Sequence, residues 1–369
     1  MILNKGDEAM NQQPEFKTSG AWTTAEVESD RSWIYRMNGD EASELLAVVR
    51  EGMKADKPLL AYTRSDFPLR PMQCLTEAFE EASQRRGIAL IAGLPRVGVS
   101  EQEFSMLTWA IGLNFGVARP QSRMSEYITQ VKNVGGQYRN ATGRGYSSNA
   151  ELDFHIDGGD LVLLSCYNQA PIGGMSLCTS STKAYQVMLQ ERPDLARILT
   201  QPFPFSRNGE ESVDETPWYL CPIFAVEDGR VFCMWNRNRV MNTQQLEGAP
   251  QLSGKEHEAM DYLDKLVRRP ELMFCMHLEP GDLQLMNNHT ALHSRTSFED
   301  FPDEARLRTL YRIWLATPDS WKLPESWIPF WKSTEPSSVR GGIRGHKYDD
   351  TCRRFDRDQA AAVGMRPPS

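Results

Sequence analysis

The sequence predicts an α+β fold with a mainly β core and helices packed outside it. Three observations lead there. From about residue 125 onward the chain is dominated by short β-type runs separated by glycines: "YITQV", "LDFHID", "LVLLSCY" and "MSLCTS". Ahead of them stand apolar stripes at helical spacing. Near the end, "RLRTLYRIWL" carries bulky apolar residues on both faces, as a strand covered on both sides does.

In chain order, "DEASELLAVVREGM" (40–53) places Leu45, Val49 and Met53 on one helical face. "MQCLTEAFEEASQRRG" (72–87) does the same with Leu75, Phe79 and Ala82, and Gly87 is its stop. "IALIAGLP" is a short buried strand ended by Gly93 and Pro95. Ser100 and Glu103 then form a capping box ahead of Phe104, Leu107 and Ile111. After the β runs and the "APIGG" turn comes a helix, "TKAYQVMLQERPDLARIL", with a kink expected at Pro193. "CPIFAVEDGRVFCMW" is a hairpin turning at "EDGR". The helix "GKEHEAMDYLDKLVRR" and the strands of "ELMFCMHLEPGDLQLMNN" complete the pattern. There is no internal repeat and no low-complexity linker.

Composition narrows the function. Of 369 residues, 40% are apolar and 24% charged, ordinary for a chain that buries a large core. The net charge of −8, with the densest basic run ("KLVRR", 265–269) on an amphipathic helix, argues against nucleic-acid binding. No apolar run approaches the ~20 residues that span a bilayer, and the polar start lacks a secretory core. Seven cysteines without CxxC spacing fit reduced thiols, so a cytoplasmic location is expected. Oligomeric state is not indicated.

The chemistry gathers in two segments. In "ELDFHIDGGD" (151–160), a strand would put His155, Asp157 and Asp153 on one face and Leu152, Phe154 and Ile156 on the other. An HxD pair alone is weak, since the polar face of a surface strand looks the same. In 287–315, Arg306, Arg308, Leu310, Arg312 and Trp314 alternate with Leu307, Thr309, Tyr311, Ile313 and Leu315. Arginines on a covered face need anionic partners, either protein carboxylates or a dicarboxylate ligand gripped by the guanidinium fork. With His289 or His293, the HxD pair becomes a set of two imidazoles and a carboxylate. That facial arrangement leaves open coordination positions and is diagnostic of non-haem iron oxygenases, whereas zinc sites are closed or keep one open position.

With these residues in view, the chain resembles the TauD/TfdA (taurine dioxygenase-like) family of Fe(II)/2-oxoglutarate-dependent dioxygenases. The likeness rests on "RGIALIAGLP", "RGYSSNAELDFHIDGGDLVLLSCYNQAPIGGMSLCTS", "LEPGDLQLMNNHTALHSR" and "RLRTLYRIWL", in order from about residue 30 to 330. It implies a double-stranded β-helix (jelly roll) with the iron inside. By composition the polar residues 1–30 are expected to be a flexible segment and the Gly-, Arg-, Ser- and Pro-rich 336–369 an irregular tail, which leaves a single dioxygenase domain over 31–335.

Carried over by position, His155 and Asp157 match the family's HxD ligands, and His293, five residues after Asn288, matches its distal histidine. Arg308 matches the arginine that pairs with the far carboxylate of 2-oxoglutarate. Arg312 matches a second arginine near co-substrate or substrate, and Ser176 a hydroxyl that bonds the co-substrate. Because Asp157 stands where related halogenases have a small residue, oxygen chemistry is favoured over halogenation. The implied reaction uses Fe(II), 2-oxoglutarate and O2 to oxidise an unactivated C–H bond of a small organic metabolite, releasing succinate and CO2. Hydroxylation is the default, with desaturation and oxidative cyclisation as other outcomes. A zinc hydrolase on the same ligands and a non-catalytic jelly-roll binding module are the rival readings.

Other residues are weaker signals. Trp235, Arg237 and Arg239 in "MWNRNR" and Gln130 in "SEYITQV" are candidates for substrate contact. Trp321, Trp327, Phe330 and Trp331 read better as a clamp on the C-terminal segment than as a pocket entrance. His257 and His277 read as structural; His346 carries no readable signal.

Overall fold

The computed structural model describes residues 16–136 and 145–368. Its N-terminal third alternates helices with single strands: α1 (Thr24–Ser29), β1 (Ile34–Arg36), α2 (Gly39–Gly52), α3 (Gln73–Gln84), β2 (Ile88–Ala92), α4 (Glu101–Phe115), β3 (Val117–Arg119) and β4 (Thr129–Val131). Next come β5 (Leu161–Asn168), β6 (Ile172–Gly173), β7 (Ser176–Ser180), α5 (Ser181–Glu191) and α6 (Pro193–Ile198). The middle holds two hairpins, β8 (Pro202–Ser206) with β9 (Trp218–Pro222) and β10 (Phe224–Glu227) with β11 (Arg230–Cys233), then α7 (Arg237–Thr243) and α8 (Gly254–Leu266). The chain ends through β12 (Met273–Met276), β13 (Leu283–Asn287), β14 (Ala291–Arg295), β15 (Phe298–Glu299), β16 (Thr309–Ala316), α9 (Ile328–Trp331) and α10 (Asp350–Val363).

Two sheets build the core. The major one has seven strands in the order β1-β2-β13-β5-β16-β3, with β4 also on β16; the minor one is β12-β7-β14. All pairs are antiparallel except β1 with β2. This is the expected jelly-roll architecture with flanking helices.

Strand periodicity decides what each face meets. On β16, Tyr311, Ile313 and Leu315 pack outward with Leu107 and Ile111 of α4 and Leu163 and Leu285 of the neighbouring strands. Leu310 and Trp314 point between the sheets, against Val162, Cys178, Met276 and Met286. A third cluster covers the outside of the minor sheet, where Leu177 and Leu292 meet Met188, Leu195, Met260 and Leu263 of α5, α6 and α8. Each such fully buried side chain contributes roughly 1.5–3 kcal/mol, so the sheet carrying Arg308 and Arg312 is rigidly backed. The Ser100–Glu103 capping box starts α4 as expected.

Several expectations need correction. "LDFHID" is extended but joins no ladder: His155 makes isolated bridges to Asn236 and His293 only. Arg306 lies in a short 3-10 turn (Glu304–Arg306) before β16, not on the strand, because the helical turn capped by Asp303 delays strand entry. The tail from 336, expected to be irregular, carries α10, whose Asp349 cap and buried Cys352, Phe355 and Ala360 give it an amphipathic face. The segment 1–30 contains α1, closed by a Thr23–Glu26 capping box; the expectation for residues 1–15 lies outside the described residues. Pro193 does more than kink its helix, separating α5 from α6.

The paired glycines of "HIDGGD" have a steric reason. A Cβ on Gly159 would sit 2.7 Å from the backbone nitrogen of Leu315, and one on Gly158 would sit 2.8 Å from the Trp314 ring. They let the turn after Asp157 lie flat on β16. Gly159→Ala is expected to cost about 1–3 kcal/mol through overpacking, read as a lowered urea midpoint with the slope unchanged.

Among the described residues, no helix is long and apolar enough to cross a membrane. All seven cysteines are free thiols.

Candidate metal centre

Backbone bonds bring the two halves of the site together. His155 N–H donates to the His293 carbonyl and His293 N–H donates back to that of His155, both at 3.0 Å. Asn288 fixes the next residues: its Oδ1 accepts from Asp157 N–H at 2.9 Å and its Nδ2 donates to the Gly159 carbonyl at 2.8 Å. As a result His155, Asp157 and His293 converge, with their ligand atoms within 4.8 Å of one another. His293 Nε2 lies 3.5 Å from Asp157 Oδ2. His155 Nδ1 lies 2.8 Å from the Asp153 carbonyl, which takes the proton on that nitrogen and leaves the other as a ligand.

The electrostatics suit metal binding. Burial and the neighbouring His293 push the His155 imidazole down to about 4, so it stays neutral and its lone pair free. For Asp157, burial alone would raise the carboxyl, but the Arg312 charge and His293 hold it well below the usual range. Two imidazoles and one carboxylate are the donor set expected of a ferrous site with open positions.

Arg308 enters just before β16 and is buried. Its Nε donates to Gln169 Oε1 at 2.9 Å and its Nη2 to the Gly174 carbonyl at 3.3 Å. Its Nη1 is buried with no hydrogen-bond partner among the described residues, and burial pulls the guanidinium down to about 10. An orphaned cationic donor of this kind is costly unless an anion meets it, and the planar fork matches a carboxylate.

Arg312 is differently occupied. Its Nη1 lies 3.2 and 3.3 Å from the two oxygens of Asp157, and its Nε donates to Gln121 Oε1 at 2.8 Å. It therefore braces a ligand carboxylate. Ser176 Oγ donates to Gln284 Oε1 at 2.9 Å on the same wall.

These groups line one cavity of about 840 Å³. The triad, Arg308, Arg312 and Ser176 form its inner part, while Arg123, Met124, Asn208, Asn238 and Arg239 belong to the segments around it. Trp235 contributes to the wall, with its indole N–H on Asp264. Arg239 also faces the cavity, donating to the Ser206 carbonyl at 3.1 Å with Glu210 3.5 Å away. Burial draws its guanidinium below the ordinary value.

The structure does not bring Arg237 or Gln130 to the cavity. The chain after Trp235 turns into α7 instead of continuing as hairpin, which swings Arg237 onto Asp261 and Asp264 of α8 at 2.7 and 2.6 Å. On β4 the inward positions are Thr129 and Val131, so Gln130 points out and bonds Glu101 of α4. His289 is also excluded from the triad: its Nε2 sits 2.9 Å from Asp160 and its ring lies against Trp331. Trp327 and Trp331 are fully buried as a clamp, and only Phe330 of that cluster reaches the cavity. His257 on α8 is half-buried, and His277 is exposed beside Glu279. Sequence reasoning missed Gln121 and Gln169, because amides that orient arginines carry no spacing signal.

Comparison with known proteins agrees with this geometry. The model of the family described as "Taurine catabolism dioxygenase TauD, TfdA family" matches residues 55–314. The chain is 27% identical over 309 residues to FR-33289 synthase of Streptomyces rubellomurinus, covering 83% of this chain and 91% of that protein. Its fold resembles an asparagine oxygenase solved with Fe(II), 2S,3S-3-hydroxyasparagine and succinate, with TM-score 0.60, 16% identity and coverage of 77% and 94%. It also resembles the non-heme iron oxygenase OrfP solved with Fe and alpha-ketoglutaric acid, with TM-score 0.56, 16% identity and coverage of 77% and 93%. With the family matched across most of its length and an imidazole–carboxylate–imidazole cluster in the jelly roll, the chain belongs to the TauD/TfdA family of non-haem iron, 2-oxoglutarate-dependent dioxygenases.

Proposed function

We propose that His155, Asp157 and His293 hold Fe(II), that Arg308 receives the far carboxylate of 2-oxoglutarate with Ser176 beside it, and that the protein thereby oxidises an unactivated C–H bond of a small organic metabolite. Hydroxylation is the default outcome. The observation that carries this reading is the buried Nη1 of Arg308, without a hydrogen-bond partner among the described residues, in the same cavity as the triad. When bound, iron and 2-oxoglutarate supply the oxidising chemistry, with O2 consumed and succinate and CO2 released. The chain's own residues do the rest: Arg312 and Asn288 hold Asp157 in place, and the apolar side chains of Trp314, Leu310 and Phe330 limit water around the reacting carbon. All the cysteines being free thiols supports a cytoplasmic setting.

The test is a metabolite screen for stimulated succinate release by protein loaded anaerobically with Fe(II). A hit with coupled O2 uptake supports the proposal. Full zinc occupancy with no binding of 2-oxoglutarate favours a hydrolase, and metabolite binding without O2 uptake favours a binding module.

Arg239 is the strongest candidate for substrate contact, being a half-buried cation on the cavity wall outside the triad. Arg239→Ala is expected to raise the KM for the metabolite about 10-fold or more, the scale of one charge-assisted hydrogen bond. The KM for 2-oxoglutarate should stay unchanged, and steady-state kinetics with each varied in turn would show the split.

A further inference from the structure

Residues 336–369 lie beyond the part of the chain that the family model matches, yet the stretch around Arg340 closes the back of the 157–160 turn. Arg340 is fully buried. Its Nε donates to Asp160 Oδ1 at 2.8 Å, its Nη2 lies 2.8 Å from the same oxygen, and its Nη1 reaches the Thr334 and Glu335 carbonyls at 3.3 and 3.2 Å. Asp160 is the third residue after Asp157. Its carboxylate also takes His289 Nε2 at 2.9 Å and Thr317 N–H at 3.1 Å, and its carbonyl accepts from Asn288 N–H at 3.0 Å.

Two residues further along the tail, Gly342 N–H donates to the Gly158 carbonyl at 2.7 Å. Gly341 lies so close that a Cβ there would be 2.5 Å from that carbonyl oxygen. The tail is anchored on both sides of this contact. Gly341 N–H bonds the Trp331 carbonyl at 3.0 Å and Ile343 N–H that of Pro120 at 2.7 Å. Beyond them α10 is tied down by Gln359, which donates to the Leu113 and Gly116 carbonyls at 2.6 and 2.9 Å.

We propose that the C-terminal segment is a built-in part of the iron site, with Arg340 as a positioning residue that holds the 157–160 turn through Asp160. The inference rests on the assignment of Asp157 as a metal ligand. Its physical basis is that a turn with two glycines is conformationally loose. Asp157 stays aimed at the histidines only if its backbone is gripped from several sides. Asn288 grips it from β13–β14, Thr317 from the end of β16, and Arg340 with Gly342 from the tail. A buried carboxylate left without its arginine would shift or recruit water, and the turn would shift with it.

The experiment titrates Mn(II) alone into metal-free protein, following free Mn(II) by its EPR signal, for wild type, Arg340→Met, Arg340→Lys, Asp160→Asn and Val49→Ala. Arg340→Met is expected to weaken Mn(II) about 10-fold or more, within the 10–100-fold range of losses outside the ligand set. Arg340→Lys, which keeps the charge but not the fork, should fall between it and wild type. Val49→Ala, in the core under α2 and outside the tail and the cavity lining, should lower the melting temperature while leaving Mn(II) affinity unchanged, which separates positioning from general destabilisation. If Arg340→Met does not fold, Asp160→Asn decides the matter, because it keeps the side-chain shape and breaks the same ion pair. Failure of wild type to bind one Mn(II) would overturn the metal assignment itself. Wild-type binding with equal affinity in Arg340→Met and Asp160→Asn would overturn only the role of the tail.

Discussion

His155→Ala is expected to abolish both substrate-stimulated O2 uptake and succinate release, and to remove stoichiometric metal binding. Losses outside the ligand set already cost about 10–100-fold in affinity, so removal of one ligand of three should exceed that range. The change leaves the scaffold alone: the reciprocal backbone bonds between positions 155 and 293 do not involve the imidazole. Circular dichroism should therefore report a folded protein, and metal analysis an empty one. Succinate formation that survives the substitution would sink the ligand assignment, and with it the reading of the whole cavity.

Arg308→Met should raise the KM for 2-oxoglutarate about 100-fold, the equivalent of ~3 kcal/mol for a buried cation–carboxylate contact. The informative control is thermal. In wild type, saturating 2-oxoglutarate with Mn(II) should raise the melting temperature, because a ligand that binds only the folded state stabilises it by mass action. In Arg308→Met that rise should shrink to the contribution of the metal alone. An unchanged KM would mean that the orphaned Nη1 answers to some other anion and that the co-substrate lies elsewhere in the cavity.

How much of this was legible in the sequence depended on whether the signal was local. The HxD pair was legible because residues two apart on an extended segment share a face, whereas the distal histidine and Arg308 were picked out by the resemblance to the family. The alternation on β16 likewise told which side chains meet the helices and which face inward. Arg237 and Gln130 failed for the opposite reason. Whether a side chain after a hairpin faces a cavity or a helix depends on whether the chain goes on as strand or coils, and Asn236 capped a helix there. Gln130 was a question of register on a three-residue strand, where a shift by one reverses inside and outside. Arg340 was invisible because its partner stands 180 positions away, and "RGGIRG" has no periodicity to betray a buried face. His289 against His293 was an ambiguity of spacing; the resemblance favoured His293, and the burial of His289 on Asp160 agrees with it.

The cavity is built from two kinds of material. At its reactive end, His293 and Arg312 sit on strands whose every residue is buried, β14 and β16. Its outer lip is drawn partly from the connecting segments that hold Arg123, Met124, Asn208 and Glu210, where Arg123 and Met124 stand exposed, and partly from the start of α7 with Asn238 and Arg239. Connections tolerate replacement far better than ladder strands do. Exchanging those segments for equivalents from a homologous enzyme should redirect which compound is accepted while the oxidising machinery keeps its affinity for metal and keto acid. A scaffold of this sort can be retargeted without being rebuilt.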